Sequence, residues 1–149
     1  MVPTQQSVDA REKPGEVRVL VADDHQALLE RVVTLLARDF KVIGAVRDGQ
    51  ALVDAEAALL PDVLVVDISM PKMTGLEATA RIRRRGSHAV VVYLTAHDEQ
   101  DVIEAALAQG AFGYVNKTCL AADLVPAIYA ALAHRQFVSD SDAHTHTLA

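Results

Sequence analysis

Five polar side chains stand directly after short apolar runs in this chain. Asp23 and Asp24 follow Val17-Arg18-Val19-Leu20-Val21-Ala22, and Asp67 follows Val63-Leu64-Val65-Val66. Thr95 follows Ala89-Val90-Val91-Val92-Tyr93-Leu94, and Lys117 follows Gly113-Tyr114-Val115-Asn116. Three acids, one hydroxyl and one ammonium in a common crevice would define a particular chemistry. Like charges raise one another's pKa, so the acids could not all ionise there without a cation. An all-oxygen donor set suits Mg²⁺, which keeps several waters and shares its coordination with phosphate. Lys117 would then meet phosphate oxygens as a point charge and Thr95 as a hydrogen-bond donor. Asp67, its charge neutralised by metal, could attack phosphorus and become an aspartyl phosphate.

That arrangement requires each of the five to lie at the carboxyl end of a parallel strand, where open α/β sheets bind their ligands. The Asp67 run is short, rich in Val and bounded by Pro61 and Pro71, as expected of a fully buried parallel strand. Helical spacing of Leu28, Val32, Leu35 and Leu36 predicts a first helix within 25–39. Lys41-Val42-Ile43-Gly44-Ala45 reads as a second strand. Asp48 is placed to cap a second helix with Leu52, Ala55, Leu59 and Leu60 on one side, stopped before Pro61. Thr74-Gly75-Leu76-Glu77 has the capping-box spacing and predicts a third helix from Thr74 to about Arg85, with Gly86 beyond it. Asp98 is expected to cap a fourth helix carrying Val102, Ile103, Ala106 and Leu107 and ended by Gly110. A last helix holds Leu124, Ile128 and Leu132. Pro126 is tolerated there if the helix starts at Asp123 as N-cap, which leaves the proline in the first turn.

Strands alternating with helices at this spacing imply a doubly wound α/β fold, with five parallel strands between two layers of helices over residues 17–138. Residues 1–16 are polar and aperiodic and read as a flexible leader, and 139–149 as a flexible tail. At 149 residues, 51% hydrophobic and 4% aromatic, a single aliphatic core is expected. The formal charge of -6 argues against a nucleic-acid surface in this chain. One cysteine, no signal-peptide core and no run of membrane-spanning length point to a cytoplasmic protein with no membrane contact.

The strand-end residues and their neighbours resemble the receiver domain of two-component response regulators over about residues 17–138. The matching pieces are Val21-Ala22-Asp23-Asp24-His25, Asp67-Ile68-Ser69-Met70-Pro71-Lys72-Met73-Thr74-Gly75, Leu94-Thr95-Ala96, and Gly110-Ala111-Phe112-Gly113-Tyr114-Val115-Asn116-Lys117. The resemblance implies a flavodoxin-like fold of strand order 2-1-3-4-5 and phosphorylation of Asp67. It implies that Asp24, Asp67 and the Ser69 carbonyl bind Mg²⁺, with Asp23 assisting through water. Thr95 would be the switch hydroxyl, Tyr114 the switch aromatic, and Lys117 the phosphate-binding cation. The implied partner is a sensor histidine kinase or phosphotransfer protein, and a homodimer is compatible with the family. The pieces are most similar to the branch whose outputs are LuxR-type helix-turn-helix domains. About a dozen residues follow the last helix, so that output domain is expected to be absent from this chain. Thr118 stands where many receivers have proline, and Asn116 where this branch has an apolar residue.

Other readings fit less well. Haloacid-dehalogenase-like phosphatases place a second Asp two residues after the nucleophile, where this chain has Ser69. Flavodoxins carry a Ser/Thr/Gly-rich phosphate loop after the first strand, where this chain has Asp23-Asp24-His25-Gln26. The expectation is therefore a phosphoacceptor that is not a turnover enzyme. The alternative is a receiver-like interaction module that is never phosphorylated. The run of Arg81, Arg83, Arg84 and Arg85 is expected to be a solvated helix end complementing the dipole. Cys119, two residues after Lys117, is read as an inert small residue, and His144 and His146 as too few for a metal site.

Overall fold

The computed structural model describes residues 16–96, 104, 108 and 112–139. β1 (Arg18–Ala22), β2 (Lys41–Val46), β3 (Val63–Asp67), β4 (Val90–Thr95), β5 (Gly113–Asn116) and β6 (Phe137–Val138) form one sheet in the order β2-β1-β3-β4-β5-β6, every pair parallel. The expected order is present, with one strand more than the five read from the sequence. β6 is too short for its pattern to show: Phe137 and Val138 pair with Gly113 and Tyr114 through main-chain bonds, which carry no side-chain signature. Ser139 continues that alignment, donating its N–H to the Tyr114 carbonyl at 2.7 Å, and it is buried.

Strand alternation divides the core into two layers. Val19, Val21, Val63, Val65, Val92, Leu94 and Val115 face α1 (Gln26–Leu36) and α4 (Leu120–Leu132). Leu20, Leu64, Val66, Val91, Tyr93 and Tyr114 face α2 (Gly49–Leu59) and α3 (Gly75–Arg84). Helices therefore cover both faces, and β3 is buried at all five positions.

The local signals act as expected at α2 and α3. Asp48 caps α2 by accepting from Ala51 N at 2.8 Å. Thr74 and Glu77 close a reciprocal capping box, Glu77 N to Thr74 Oγ1 at 3.1 Å and Thr74 N to Glu77 Oε1 at 2.9 Å. Gly86, at φ 90°, follows α3 in the left-handed region that favours glycine. Of the helix expected over 98–110, Glu104 and Ala108 are helical, and the rest lies outside the described residues.

Three expectations are corrected. Leu60 is not on the buried side of α2: Pro61 disfavours helical backbone before it, Leu60 turns left-handed (φ 51°, ψ 62°), and its side chain is 67% exposed. The last helix does not start at Asp123 but at Leu120, so Pro126 lies in its interior. Leu120, Leu124, Ala127, Ile128 and Ala131 are all buried on the sheet by that helix. Starting at Leu120 adds the burial of that side chain, worth about 1.5–3 kcal/mol, comparable with the roughly 3 kcal/mol cost of an interior proline. Asp123 instead accepts a hydrogen bond from Ser139 Oγ at 2.5 Å. The arginine run is not uniformly solvated either. Arg85 donates to Val53 O at 3.0 Å and pairs with the buried Glu56 at 2.8 Å, fastening the end of α3 to α2. Among the described residues no helix is long and apolar enough to cross a membrane.

Candidate functional site

Chain direction across the sheet reverses at β1, which lies between β2 and β3. The carboxyl ends of β1 and β3 thus open onto the crevice such a reversal creates. Asp23 leaves β1 fully buried, its N–H bound to Val46 O at 3.1 Å. Its Oδ1 accepts from His25 N at 2.9 Å, fixing the Asp23-Asp24-His25 turn before α1. Neither acid caps that helix: His25 occupies the N-cap position, without a side-chain cap. Arg47 holds the turn from the β2 side, donating to Asp24 O at 3.2 Å.

Asp67 is the last residue of β3 and is 2% exposed. Ser69 N donates to its Oδ1 at 3.1 Å. Two backbone features hold the following loop. Ile68 N bonds to Leu94 O at 3.0 Å, and Gly75 N bonds to Ile68 O at 3.0 Å. Gly75 packs so closely that a Cβ there would stand 2.3 Å from Asp67 O and 2.8 Å from Val66 Cγ1. Glycine is required here for close approach and not for a left-handed backbone, since Gly75 is not at positive φ.

Lys117 reaches this point from the far end of β5. Its Nζ lies 3.1 Å from Asp23 Oδ2 and 3.2 Å from Asp67 Oδ2, with 13% of the side chain exposed. Asn116 shapes the turn that carries it, accepting from Thr118 N at 2.9 Å and Thr118 Oγ1 at 2.7 Å. Asp23, Asp24, His25 and Asp67 each offer a ligand atom, all within 4.8 Å of one another. His25 Nδ1 is 3.3 Å from Asp24 Oδ1, a buried oxygen with no hydrogen bond among the described residues. His25 is the member that sequence reasoning did not single out, although it stands within the matched Asp23-Asp24-His25 motif. The donor set is oxygen-rich, compact and short of positive charge, which fits a hard divalent cation.

Burial raises the Asp67 carboxyl above its ordinary 3.8. The Ser69 hydrogen bond opposes this, Asp23 adds to it, Lys117 opposes it, and the Asp24 contact adds to it again. Thr95 ends β4 buried, opposite Asn116 in the β4–β5 register, with Asp67 opposite its neighbour Leu94. Tyr114 lies two residues deeper on β5 and is fully buried. Cys119 is partly exposed, its Sγ 3.7 Å from Thr118 Oγ1. A separate cavity of about 480 Å³ beside Leu60, Asp62, His88 and His134 lies at the amino end of the sheet and contains none of the acidic cluster.

This geometry agrees with what the chain is similar to. The probable transcriptional regulatory protein NarL of Mycobacterium tuberculosis (strain CDC 1551 / Oshkosh) is 35% identical over 131 residues, 87% of this chain and 61% of that protein. The chain therefore spans less than two thirds of that relative's length. A two-component response regulator of the LuxR family from Aurantimonas sp. SI85-9A1 superposes with TM-score 0.79 at 30% identity, covering 89% of this chain and 94% of that one. The isolated receiver domain of RcsB from Salmonella enterica serovar Typhimurium, solved in the presence of phosphomimetic BeF3-, superposes with TM-score 0.77 at 25% identity, covering 88% and 98%. The family model described as the response regulator receiver domain matches residues 19–129, the span from β1 into α4 that gathers every residue of the cluster, and the chain belongs to that family.

Proposed function

We propose that Asp67 is a phosphoacceptor, loaded in a Mg²⁺-dependent reaction from a phosphohistidine on a sensor histidine kinase or phosphotransfer protein. The observation that carries this reading is Lys117 Nζ held 3.1 and 3.2 Å from Asp23 and Asp67 in a buried acidic crevice. Asp24, Asp67 and the Ser69 carbonyl would hold the metal, with Asp23 reached through water. When bound, it supplies charge neutralisation to the acids and the incoming phosphoryl oxygens.

A carboxylate oxygen of Asp67 attacks phosphorus. The bond from phosphorus to the donor imidazole nitrogen breaks, and its electron pair leaves with that nitrogen. Ser69 N orients the carboxylate through Oδ1. The Lys117 ammonium, freed from one carboxylate oxygen as that oxygen is esterified, pairs with a phosphoryl oxygen. The Thr95 hydroxyl donates to another, and its movement lets Tyr114 repack. Positioning and charge compensation supply the catalysis, in keeping with phosphoryl transfer generally. The chain acts on itself and turns over no external substrate. Its product is an altered protein-interaction surface around Thr95 and Tyr114.

Intact-mass spectrometry after incubation with Mg²⁺ and acetyl phosphate tests the reading. A base-labile gain of one phosphoryl group that is absent in Asp67→Ala is expected. Failure to take up the group, together with failure to bind beryllofluoride, would overturn it.

A further inference from the structure

β4 carries a second polar residue that the phosphoacceptor reading leaves unused. Tyr93 is fully buried and lies two residues before Thr95, on the same face of the sheet. It sits opposite Tyr114 in the β4–β5 register. Its hydroxyl meets Oγ1 of Thr79, a fully buried residue in the middle of α3. Counting hydrogens assigns the direction of that bond. Thr79 has one hydroxyl proton, and its Oγ1 lies 3.0 Å from Gly75 O and 3.1 Å from Leu76 O, the back-bonding open to a helical threonine. That proton goes to the preceding turn, so the Tyr93 phenol is the donor to Thr79. Burial raises this phenol above its ordinary 10.0, against the Thr79 hydrogen bond and the Arg83 charge, which keeps the donor proton in place at neutral pH.

The turn that Thr79 grips begins at Gly75, whose backbone is packed against the Asp67 carbonyl and bonded to Ile68 O. A continuous series of contacts thus runs from the Asp67 loop through Gly75 and Thr79 to Tyr93, and across the strand pair to Tyr114. A buried hydroxyl is satisfied only when donor and acceptor stand in register, which an apolar ring of the same size would not demand. The Tyr93–Thr79 contact fastens the sheet to the middle of α3, one turn beyond the Gly75 contact with the Asp67 loop.

We propose that Tyr93 is a positioning residue that ties α3 and the Asp67 loop to the Thr95 and Tyr114 strand pair, so that the change at the phosphorylated site is passed to α3. This rests on the reading of Asp67 as phosphoacceptor. The test is hydrogen–deuterium exchange of α3 amides with and without beryllofluoride and Mg²⁺, in the wild-type chain and in Tyr93→Phe, Thr79→Val and Thr79→Ser. In the wild type, α3 gains protection on beryllofluoride binding. Tyr93→Phe and Thr79→Val cut that gain by about fivefold, the factor one net hydrogen bond is worth, and Thr79→Ser retains it. A merely structural hydroxyl would lower protection equally in both states and leave the gain unchanged, which would overturn the proposal. A wild-type chain that binds beryllofluoride with no change in α3 would overturn it as well. A wild-type chain that does not bind beryllofluoride would overturn the phosphoacceptor reading, and the coupling with it.

Discussion

The ammonium of Lys117 lies 3.2 Å from Oδ2 of Asp67, although the two residues end different strands with β4 between them. The same nitrogen is 3.1 Å from Asp23, so one cation is shared by two buried carboxylates. Removing it leaves both acids without their neutralising partner. Lys117→Ala is expected to lower stability by about 3 kcal/mol in the presence of a chelator, the scale for breaking a buried pair. Mg²⁺ should then raise the melting temperature of the variant more than that of the wild type. Asp24→Ala should abolish the Mg²⁺ effect. Thermal scans with and without Mg²⁺ check both, and equal metal effects in all three chains would count against the site.

Asp67 makes a pH dependence whose sign follows from its burial. Its carboxyl is raised above 3.8 in the folded chain, so the fold retains a proton that the unfolded chain has released. Stability from this group is fully present below 3.8 and is lost as pH rises through the folded value. In chelator, Asp67→Asn should therefore melt higher than the wild type at pH 7, with about 2–4 °C for each kcal/mol in a domain of this size. The difference should shrink as pH falls toward 3.8. Melting curves across this range measure it, and a gap that widens on acidification would contradict the assignment.

Gly75→Ala should distort the site more than its size suggests. The added carbon would stand 2.3 Å from Asp67 O and 3.0 Å from Ile68 Cα, both of them backbone. Overpacking of this kind costs about 1–3 kcal/mol, and here the strain falls on the loop that carries Asp67. Both the melting temperature and the initial rate of phosphorylation by acetyl phosphate should fall. Leu76→Ala, at a partly buried position one residue on, should leave the rate close to wild type.

Arg85→Met should be destabilising even though four arginines crowd that helix end. Glu56 is 4% exposed, and Arg85 supplies its ion pair at 2.8 Å. The orphaned carboxylate should cost about 1–3 kcal/mol, while Arg84→Met, at an exposed position, should stay within about 0.5 kcal/mol of wild type. Chemical denaturation of the two variants distinguishes them. The double variant Arg85→Met with Glu56→Gln should recover part of the loss.

Five of the six strands, the caps of α2 and α3 and the acids of the cluster were legible in the sequence because each depends on local order. An apolar run ending in one polar residue marks a buried strand and its carboxyl end, which is how Asp23, Asp24, Asp67, Thr95 and Lys117 could be assembled before any coordinates. Asp48 and Thr74 cap their helices through residues three positions away. Where a distant partner decides, sequence was silent or misleading. Pro126 argues locally for a helix starting at Asp123, yet the helix begins at Leu120, whose side chain is buried against the sheet. Arg85 reads as one more solvated arginine until α2 brings Glu56 beside it.

The sequence by itself determined the alternation of elements, the positions of the acids at the strand ends and the family. Only the tertiary structure decided that Lys117 lies between two acids, that Gly75 must lack a side chain to clear Asp67, that Tyr93 donates to Thr79, and that Phe137 and Val138 add a sixth strand. The reason is physical. Periodicity and capping are set by neighbours within a few residues along the chain, whereas ion pairing, close approach and edge-strand hydrogen bonding depend on groups separated by tens of residues, which become neighbours only when the core closes.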